Sequence, residues 1–377
     1  MNDSTADSLA PYSEPPPEGE PLRFSTTIEP RRFFGLSLKN GLLNLITLTL
    51  YRFWGKTEVR QRVWRGIRLN DEAFEYTGRG VELFIGFLLA LLVIGLPFLI
   101  VIFGIQFTQH WAFGLALLPL YVGLFWLWGF GVFSAFRYMA SRTTWRGVRF
   151  RLKGSASAYA WNYLLAIFLG GLTAGWFWPH AERQLASRVW EELRFGDRRL
   201  RFRMERSERF GIYGPFALGW FGTLVGYIAL SAVLVAAAMA AGPSLQPSAD
   251  GQPPVPSVLF TLMVYAVILA VSPIFLLIWA PYQAALLRSI AAGVTLDKST
   301  FTLNVKAIPL WWLTVTNLFA LLVSLGFLMP WVQARTARFL IQRLESTGTA
   351  RLDLARQAER GPGSGEGLAD AFGFSSI

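Results

Sequence analysis

Long apolar stretches alternate with short basic segments along the chain. Two apolar stretches, residues 81–136 and 210–287, contain no lysine or arginine, and each is long enough for two membrane spans of about 20 residues. Three shorter apolar stretches cover residues 33–54, 156–178 and 307–331. The pattern predicts a mainly α, polytopic helical membrane protein.

The basic segments lead into short stretches in which apolar and polar residues alternate. We expect five basic helices, centred near Arg60, Arg137, Arg188, Arg288 and Arg338. Alternation around a turn-forming pair predicts a short β-hairpin. The turn pairs are Asn70-Asp71, Gly196-Asp197 and Asp297-Lys298, and a last hairpin is expected at residues 348–354.

An internal repeat underlies this order. Phe24, Phe150 and Phe301 are spaced by 126 and then 151 positions, and the same offsets align apolar positions on three of the basic helices. Trp128 and Arg137 also recur 151 positions later, as Trp279 and Arg288. We infer three repeat modules that alternate with two transmembrane helical hairpins.

The repeat divides the chain into seven parts. Its two ends are polar and poor in residues that a core could bury, so we expect them to be disordered tails. The predicted parts are a tail at 1–20, module 1 at 24–80, helical hairpin 1 at 81–136, module 2 at 137–209, helical hairpin 2 at 210–287, module 3 at 288–354, and a tail at 355–377.

The basic residues predict which stretches cross the membrane. If every basic element stays on one side, the chain must cross an even number of times between successive elements, and the positive-inside rule makes that side cytoplasmic. The two long stretches meet this condition as helical hairpins. The three shorter ones do so only as re-entrant or interfacial helices, for which Gly170-Gly171 and Ser324 with Gly326 are candidate turns. We therefore expect four full spans, three half-entries, cytoplasmic β-hairpins and cytoplasmic termini; the alternative is seven spans.

Composition agrees with a membrane protein and narrows the possible partners. The chain is 53% hydrophobic and 16% charged, whereas soluble domains carry roughly 25% charged residues. Its net charge is +11, and all 35 basic residues lie outside the two long apolar stretches, which fits topology signals and anionic lipid but not a nucleic-acid partner. The sequence leaves protein partners unknown.

One basic helix carries a charged stripe suited to anionic lipid. Arg52, Lys56 and Arg60 follow one another at four-residue spacing, as on an interfacial helix, where each charge contributes about 1 kcal/mol near the membrane surface. The other interpretation is a topology determinant that binds nothing specific. The candidate lipid-headgroup contacts are Arg52, Lys56, Arg60, Arg137, Arg183 and Arg288.

A second candidate site is a polar cavity inside the shorter apolar stretches. Lys39 lies in the first stretch and would either snorkel to the headgroups or contact a substrate. Amide side chains occupy comparable places in the other stretches, where they offer hydrogen bonds to a polar groove. The candidate cavity residues are Lys39, Asn40, Asn44, Asn162 and Asn317.

The sequence offers few candidate residues for catalysis or for metal binding. The chain has no cysteine and two isolated histidines, His110 and His180, which form neither a metal site nor a nucleophile–base pair. The long stretches also lack the carboxylates that proton or sodium coupling requires. We expect no catalytic residues, no metal and no cofactor, and therefore no enzyme.

The run from Leu45 to Lys56, followed by Arg60, Trp64 and residues 74–78, resembles the YjgN-like family of bacterial inner-membrane proteins, a group classed as a domain of unknown function. Residues 175–183 and 326–335 resemble that family's Gly-aromatic and Trp-Ala-Arg pattern. His180 departs from it, because the pattern has Trp there. The likeness extends from Phe24 to about Leu354. It implies an inner-membrane location and no established activity.

Two functions follow as hypotheses. The first is a non-enzymatic protein that acts at the cytoplasmic leaflet in lipid or envelope organisation. The second is a passive channel or transporter whose site lies where the three half-entry helices converge, since broken helices in internal repeats are typical of transporters. A cavity lined by Asn44, Asn162 and Asn317 would favour transport, and a packed apolar centre would favour lipid organisation.

Overall fold

The structure, a computed structural model, describes residues 19–108, 111–240, 258–352 and 355. Most of the two predicted tails lies outside these residues, as do Gln109-His110 and residues 241–257 within the two long apolar stretches. Three tail residues are described: Gly19, Glu20, which belongs to the first strand, and Ala355, which packs against the main core.

The described residues form twelve α-helices, which provide most of the fold. A 3₁₀ turn at Pro30–Phe33 precedes the first helix, and a π-helical stretch at Leu91–Gly95 joins the third to the fourth. The helices are α1 (Phe34–Ile46), α2 (Arg52–Arg65), α3 (Gly80–Ala90), α4 (Leu96–Thr108), α5 (Trp111–Arg142), α6 (Ala156–Leu172), α7 (Trp178–Glu192), α8 (Met204–Glu208), α9 (Tyr213–Ala240), α10 (Val258–Gly293), α11 (Ala307–Val323) and α12 (Met329–Ile341).

Fourteen short strands complete the described fold. They are β1 (Glu20–Pro21), β2 (Phe24–Thr26), β3 (Ile67–Leu69), β4 (Glu72–Ala73), β5 (Glu75–Tyr76), β6 (Thr143–Trp145), β7 (Val148–Leu152), β8 (Leu193–Phe195), β9 (Arg198–Arg199), β10 (Arg201–Phe202), β11 (Val294–Leu296), β12 (Ser299–Leu303), β13 (Leu344–Thr347) and β14 (Thr349–Ala350). Four couples, β1–β2, β4–β5, β9–β10 and β13–β14, are separated by only one or two residues, so each acts as one bent strand.

The strands close into a ring. With each couple counted as one strand, each of the ten strands pairs antiparallel with the next along the chain, and the last couple pairs with the first through β14 and β1, where Glu20 lies opposite Ala350. Closure leaves only short unpaired edges, at the bent strands, for another chain to pair with. We call β1 to β14 the strand ring. The hairpins predicted at Asn70-Asp71, Gly196-Asp197 and Asp297-Lys298 are confirmed.

The hairpin expected at residues 348–354 is wrong. Gly348, with φ +94°, bends a single strand instead of reversing it. The first half of that strand pairs with β12 and the second half pairs with β1. Because the N-terminal strand supplies the missing neighbour, the last strand has no need to fold onto itself.

An apolar core fills the strand ring. Every strand or bent strand contributes a side chain to one cluster, in which Trp145, Phe195 and Phe202 are large buried members. Phe150 and Phe195 pack with ring centroids 4.9 Å apart. The ring is therefore a packed core and does not enclose an aqueous pore.

All five helical connections leave the strand ring from the same end. Consecutive strands are antiparallel, so tight turns and helical connections alternate between the two ends of the ring. The helical connections are α1 with α2, α3 to α5, α6 with α7, α8 to α10, and α11 with α12. We call the first, third and fifth the short hairpins, and the second and fourth the long hairpins.

Hydrogen bonds across each of two short hairpins show that the chain doubles back. The Asn40 amide donates to the Gly55 carbonyl at 3.5 Å, and the Asn317 amide donates to the Thr336 hydroxyl at 3.2 Å. In one continuous helix, residues 15 positions apart would lie about 22 Å from each other. The third pair, α6 and α7, also pack together.

The turns of the three short hairpins have the same construction. Thr47, Thr173 and Ser324 each donate to a carbonyl four residues earlier and accept from the backbone N–H four residues later. The next residue has a positive φ in each turn. The turn predicted at Ser324 is confirmed. The one predicted at Gly170-Gly171 is displaced: both glycines lie inside α6, and the turn follows at Ala174-Gly175.

Helix lengths separate the long hairpins from the short ones. At 1.5 Å per residue, α6 and α11, with 17 residues each, extend about 25 Å from the ring, whereas α10, with 36, extends about 54 Å. By length and composition four described segments could cross a membrane: residues 80–104, 117–142, 213–237 and 261–293. All four belong to the long hairpins.

Candidate functional site

Two of the six arginines and lysines assigned to lipid headgroups are buried, which corrects that assignment. Arg60 is 1% exposed; its Nη1 donates to the Tyr76 hydroxyl at 3.2 Å, and its guanidinium lies 5.7 Å from the Tyr76 ring centroid. Arg183 is 6% exposed. Side chains this deeply buried do not reach the membrane surface and instead hold elements of the protein together.

Arg183 joins three elements. Its Nε donates to the Ser289 hydroxyl on α10 at 2.8 Å, and its Nη2 donates to the carbonyls of Ser207 and Phe210 at the carboxyl end of α8. Helix carboxyl ends favour a positive charge, because their last carbonyls are unpaired. Burial lowers the pKa of Arg183 from its ordinary value.

A partly buried carboxyl lies next to Arg183 in the sequence. Glu182 accepts hydrogen bonds from the Tyr282 hydroxyl and, at 3.0 Å, from the Trp178 indole. Burial raises the pKa of Glu182, an effect that these two hydrogen bonds oppose. The three side chains tie α7 to the long helix α10.

The remaining headgroup candidates are more accessible. Arg137 and Arg288 each donate to a backbone carbonyl 17 residues later, on Gly154 and Val305, and so join a long hairpin to the next short one. Arg52 is exposed, with its guanidinium 4.8 Å from the Phe53 and Phe87 rings.

Lys56 is half-buried on α2, next to the apolar stripe of the same helix. Together with Arg52, Arg137 and Arg288, it retains a side chain that is only partly enclosed by the protein. A headgroup role at these four positions stays a prediction.

The predicted cavity residues bond within separate hairpins. Asn162 donates back to Ala158 on its own helix at 2.6 Å, and Asn317 pairs with the helix that follows it. Lys39 donates to Glu58 at 2.8 Å. The Oδ1 atoms of Asn40 and Asn44 are buried without a hydrogen-bond partner in the described chain. None of these residues lines the clefts described next.

A cleft of about 650 Å³ lies between the 3₁₀ turn at Pro30–Phe33, the start of α11 and one face of α12. Its lining combines positive charge with aromatic rings, and we call it the basic–aromatic cleft. The main lining residues are Arg31, Arg335, Arg338, Arg343, Trp312 and Trp331. Arginines and tryptophans with this arrangement could hold an anion against an apolar wall.

The arginines of the basic–aromatic cleft differ in how firmly they are held. Arg335 Nη1 donates to the Thr316 hydroxyl at 2.7 Å and to Asn317 Oδ1 at 3.1 Å, and its guanidinium lies 5.2 Å from the Trp331 ring. Arg343 lies 3.7 Å from the Phe339 ring. Arg338 is exposed.

Sequence reasoning missed the basic–aromatic cleft. It noted the basic helix around Arg338 but left Arg335 and Arg343 out of the candidate headgroup contacts. The missed signal is the spacing of Trp331, Arg335 and Arg338 along α12, which places all three on one helix face. Arg31 comes from the other end of the chain, so only the closed fold brings it there.

A second cleft, of about 720 Å³, lies among α9, α10 and α11. Its lining is mainly apolar, including Phe275, Trp279 and Leu318. The Trp311 indole donates to the Pro273 carbonyl at 2.8 Å along this cleft. In the described residues, no group of three or more His, Cys, Asp or Glu side chains could hold a metal ion.

These features define the class of protein: a helical, membrane-spanning protein whose helical hairpins all leave one end of a strand ring. Residues 20–371 match the family described as "Bacterial protein of unknown function (DUF898)". The chain belongs to this family, the YjgN-like family that its sequence resembles.

One curated relative is the inner membrane protein YjgN of Salmonella typhimurium (strain LT2). It is 30% identical over 138 residues, which cover 36% of this chain and 32% of the relative. The chain thus spans about a third of the length of that relative. No solved structure matches the chain.

Proposed function

We propose that this chain is a non-enzymatic protein of the bacterial inner membrane that acts at the cytoplasmic leaflet, where it binds and organises anionic lipid in the envelope. One observation supports the proposal most: all five helical connections leave the strand ring from the same end. The relative YjgN is named as an inner membrane protein, which supports the location.

In this proposal the two long hairpins supply four full spans and the three short hairpins enter the bilayer partway. The tips of the short hairpins support partial entry, because Leu48 is 84% exposed, Leu325 is 88% exposed, and Leu172 is also exposed. Leucines at tips that face water would be unfavourable, whereas burial in lipid stabilises them. The three short hairpins are then equivalent units of the predicted repeat.

The ring side of the membrane is cytoplasmic in this proposal. The basic helices and ring strands carry the arginines, and the positive-inside rule assigns such segments to the cytoplasm. The described N-terminal and C-terminal strands pair with each other in the ring, so the proposal places both ends of the fold on that side.

The alternative of a passive channel has less support. The strand ring is filled with apolar side chains, and Asn162 and Asn317, two of the asparagines expected to line a shared cavity, bond within their own hairpins. Neither feature offers a polar path among the described residues.

Native mass spectrometry of the purified protein tests the lipid proposal. The protein would be exchanged into detergent with equal amounts of phosphatidylglycerol and phosphatidylcholine. We expect preferential retention of phosphatidylglycerol, which declines with added salt because the attraction is electrostatic. Equal retention of both lipids would contradict the proposal, and solute flux through reconstituted vesicles would favour the channel.

A further inference from the structure

We propose that the basic–aromatic cleft binds one anionic phospholipid, with the phosphate among Arg335, Arg338 and Arg343 and the glycerol region against Trp331. This inference rests on the proposed function and assigns it a specific site. The protein then has one defined lipid position in addition to any general preference for anionic lipid around its surface.

Charge is the first argument. Four arginines line the cleft, against one acid, Glu29. That acid is already paired with Arg32, which does not line the cleft, at 2.8 Å. The structure shows no hydrogen bond or ion pair from the Arg338 or Arg31 side chain to any described residue. Clustered like charges repel one another, and an anion between them removes that repulsion.

Geometry is the second argument. Arg335 donates both of its hydrogen bonds through Nη1, to the Thr316 hydroxyl and to Asn317 Oδ1, and the Asn317 amide is itself held by donating to the Thr336 hydroxyl. A guanidinium has five N–H donors, so Arg335 is held in place while other donors remain for a ligand. Arginine binds phosphate through two parallel hydrogen bonds, which makes it suited to this role.

Orientation relative to the membrane is the third argument. Trp331 lies in the first turn of α12, next to the exposed apolar tip at Leu325, whereas Arg343 lies beside the ring strand β13. The two positions are about 18 Å apart along the helix direction. Along the direction of α12, the three arginines therefore lie on the ring side of Trp331, the same order as glycerol and phosphate in a leaflet.

Arginine occurs at cleft positions 335 and 338 in the third short hairpin and not at the equivalent positions of the other two. The offsets of 126 and 151 residues put Glu58 and Gln184 at the positions equivalent to Arg335, and Gln61 and Ser187 at those equivalent to Arg338. General topology signals have no reason to favour one unit in this way. The cleft volume of about 650 Å³ also lies within the usual range for small-molecule sites.

The test compares two double variants by native mass spectrometry of the full chain with phosphatidylglycerol as the probe. Arg338→Gln with Arg343→Gln removes two cleft charges. Arg65→Gln with Arg188→Gln removes two exposed charges from the equivalent helices of the other short hairpins. We expect the cleft variant to bind its tightest lipid about thirtyfold more weakly. The control variant should bind that lipid like the parent protein.

Two outcomes would overturn the inference. Equal loss in both double variants would mean that charge acts without a defined site, while the general lipid preference of the proposed function would stand. Displacement of the lipid by inorganic phosphate at equal concentration would identify a soluble anion as the ligand. If the cleft double variant fails to fold, Arg338→Gln alone replaces it, since that exposed side chain supports no contact.

Discussion

Arginines on the same helix have opposite environments in this protein. Arg183 is buried under α8 and α10, while Arg188, five residues later, is exposed. The sequence does not distinguish them, because the carbonyls that Arg183 contacts lie more than 20 residues further along the chain. Arg60 was likewise placed on a charged stripe with Arg52. Eight residues turn a helix by about 800°, so Arg60 is about 80° away from Arg52 and faces Tyr76.

Replacing Arg183 should destabilise the protein. Arg183→Met keeps an unbranched stem but removes the donor of the Phe210 carbonyl and one of several donors of the Ser207 carbonyl, and an unsatisfied buried group costs about 1–3 kcal/mol. We expect a fall of several degrees in the thermal midpoint of the detergent-purified protein, followed by tryptophan fluorescence. Arg188→Met is the control and should have no measurable effect; equal shifts in both variants would refute this role.

Glu182 should make stability depend on pH. Its pKa is raised in the folded state, so the folded protein binds the proton more tightly than the unfolded chain does. Stability should therefore decrease as pH rises from the ordinary glutamate value through the raised pKa. Glu182→Gln cannot ionise and should lose that part of the slope, measured as thermal midpoint against pH. A slope that is unchanged in Glu182→Gln would be contrary evidence.

At the scale of elements, the short hairpins were predictable in number but less so in detail. The three shorter apolar stretches have basic residues on both sides, which predicted that the chain returns to the side of the membrane from which it entered. Ser324 was correctly placed at a turn, whereas Gly170-Gly171 was not: α6 continues through both glycines despite their low helix propensity, and the turn forms at Thr173. The hydroxyls at Thr47, Thr173 and Ser324 are the better signal, since each bonds to both sides of its turn.

The turn glycine of the third short hairpin should resist substitution. Gly326 has φ +84° with open space around its Cα, so Gly326→Ala meets only backbone strain, about 1–2 kcal/mol. Gly171→Ala is the matched control, because Gly171 also has open space but lies in a helix with an ordinary φ. We expect a lower thermal midpoint for Gly326→Ala and an unchanged or higher one for Gly171→Ala. The reverse order would rule out this account of the turn.

At the scale of the whole molecule, the sequence predicted the strand hairpins but not the ring. Hairpin pairing is local and carries a turn signal, as at Asn70-Asp71. Pairing between successive hairpins, such as Phe150 with Phe195, joins residues separated by an entire helical connection. Closure by Glu20 and Ala350 joins the two ends of the described fold. The alternation of apolar and polar residues along a strand predicts which of its side chains face inward. It does not predict which other strand pairs with it.

The basic–aromatic cleft shows the same limit. Trp331, Arg335 and Arg338 share a helix face that periodicity predicts, but Arg31 joins them only because α12 packs against the 3₁₀ turn near the N-terminus. The residues of the candidate cavity show a related limit. Asn40 and Asn317 were taken to converge on a common space, yet each lies where a helix meets its own partner helix, and there its amide bonds across that contact.

The central claim is that the strand ring lies on one side of the membrane and that the short hairpins return to that side. Labelling of single cysteines in intact spheroplasts with a membrane-impermeant thiol reagent tests it most directly, since the chain has no cysteine of its own. The positions are Gln109 and Ser248 between the long helices, Asp71 and Lys298 at ring turns, and Leu325 at a short tip. We predict labelling from outside at Gln109 and Ser248 alone, with Asp71 and Lys298 labelled only after permeabilisation. Labelling of Asp71, Lys298 or Leu325 from outside would show that a short hairpin crosses the membrane, and the one-sided ring would be contradicted.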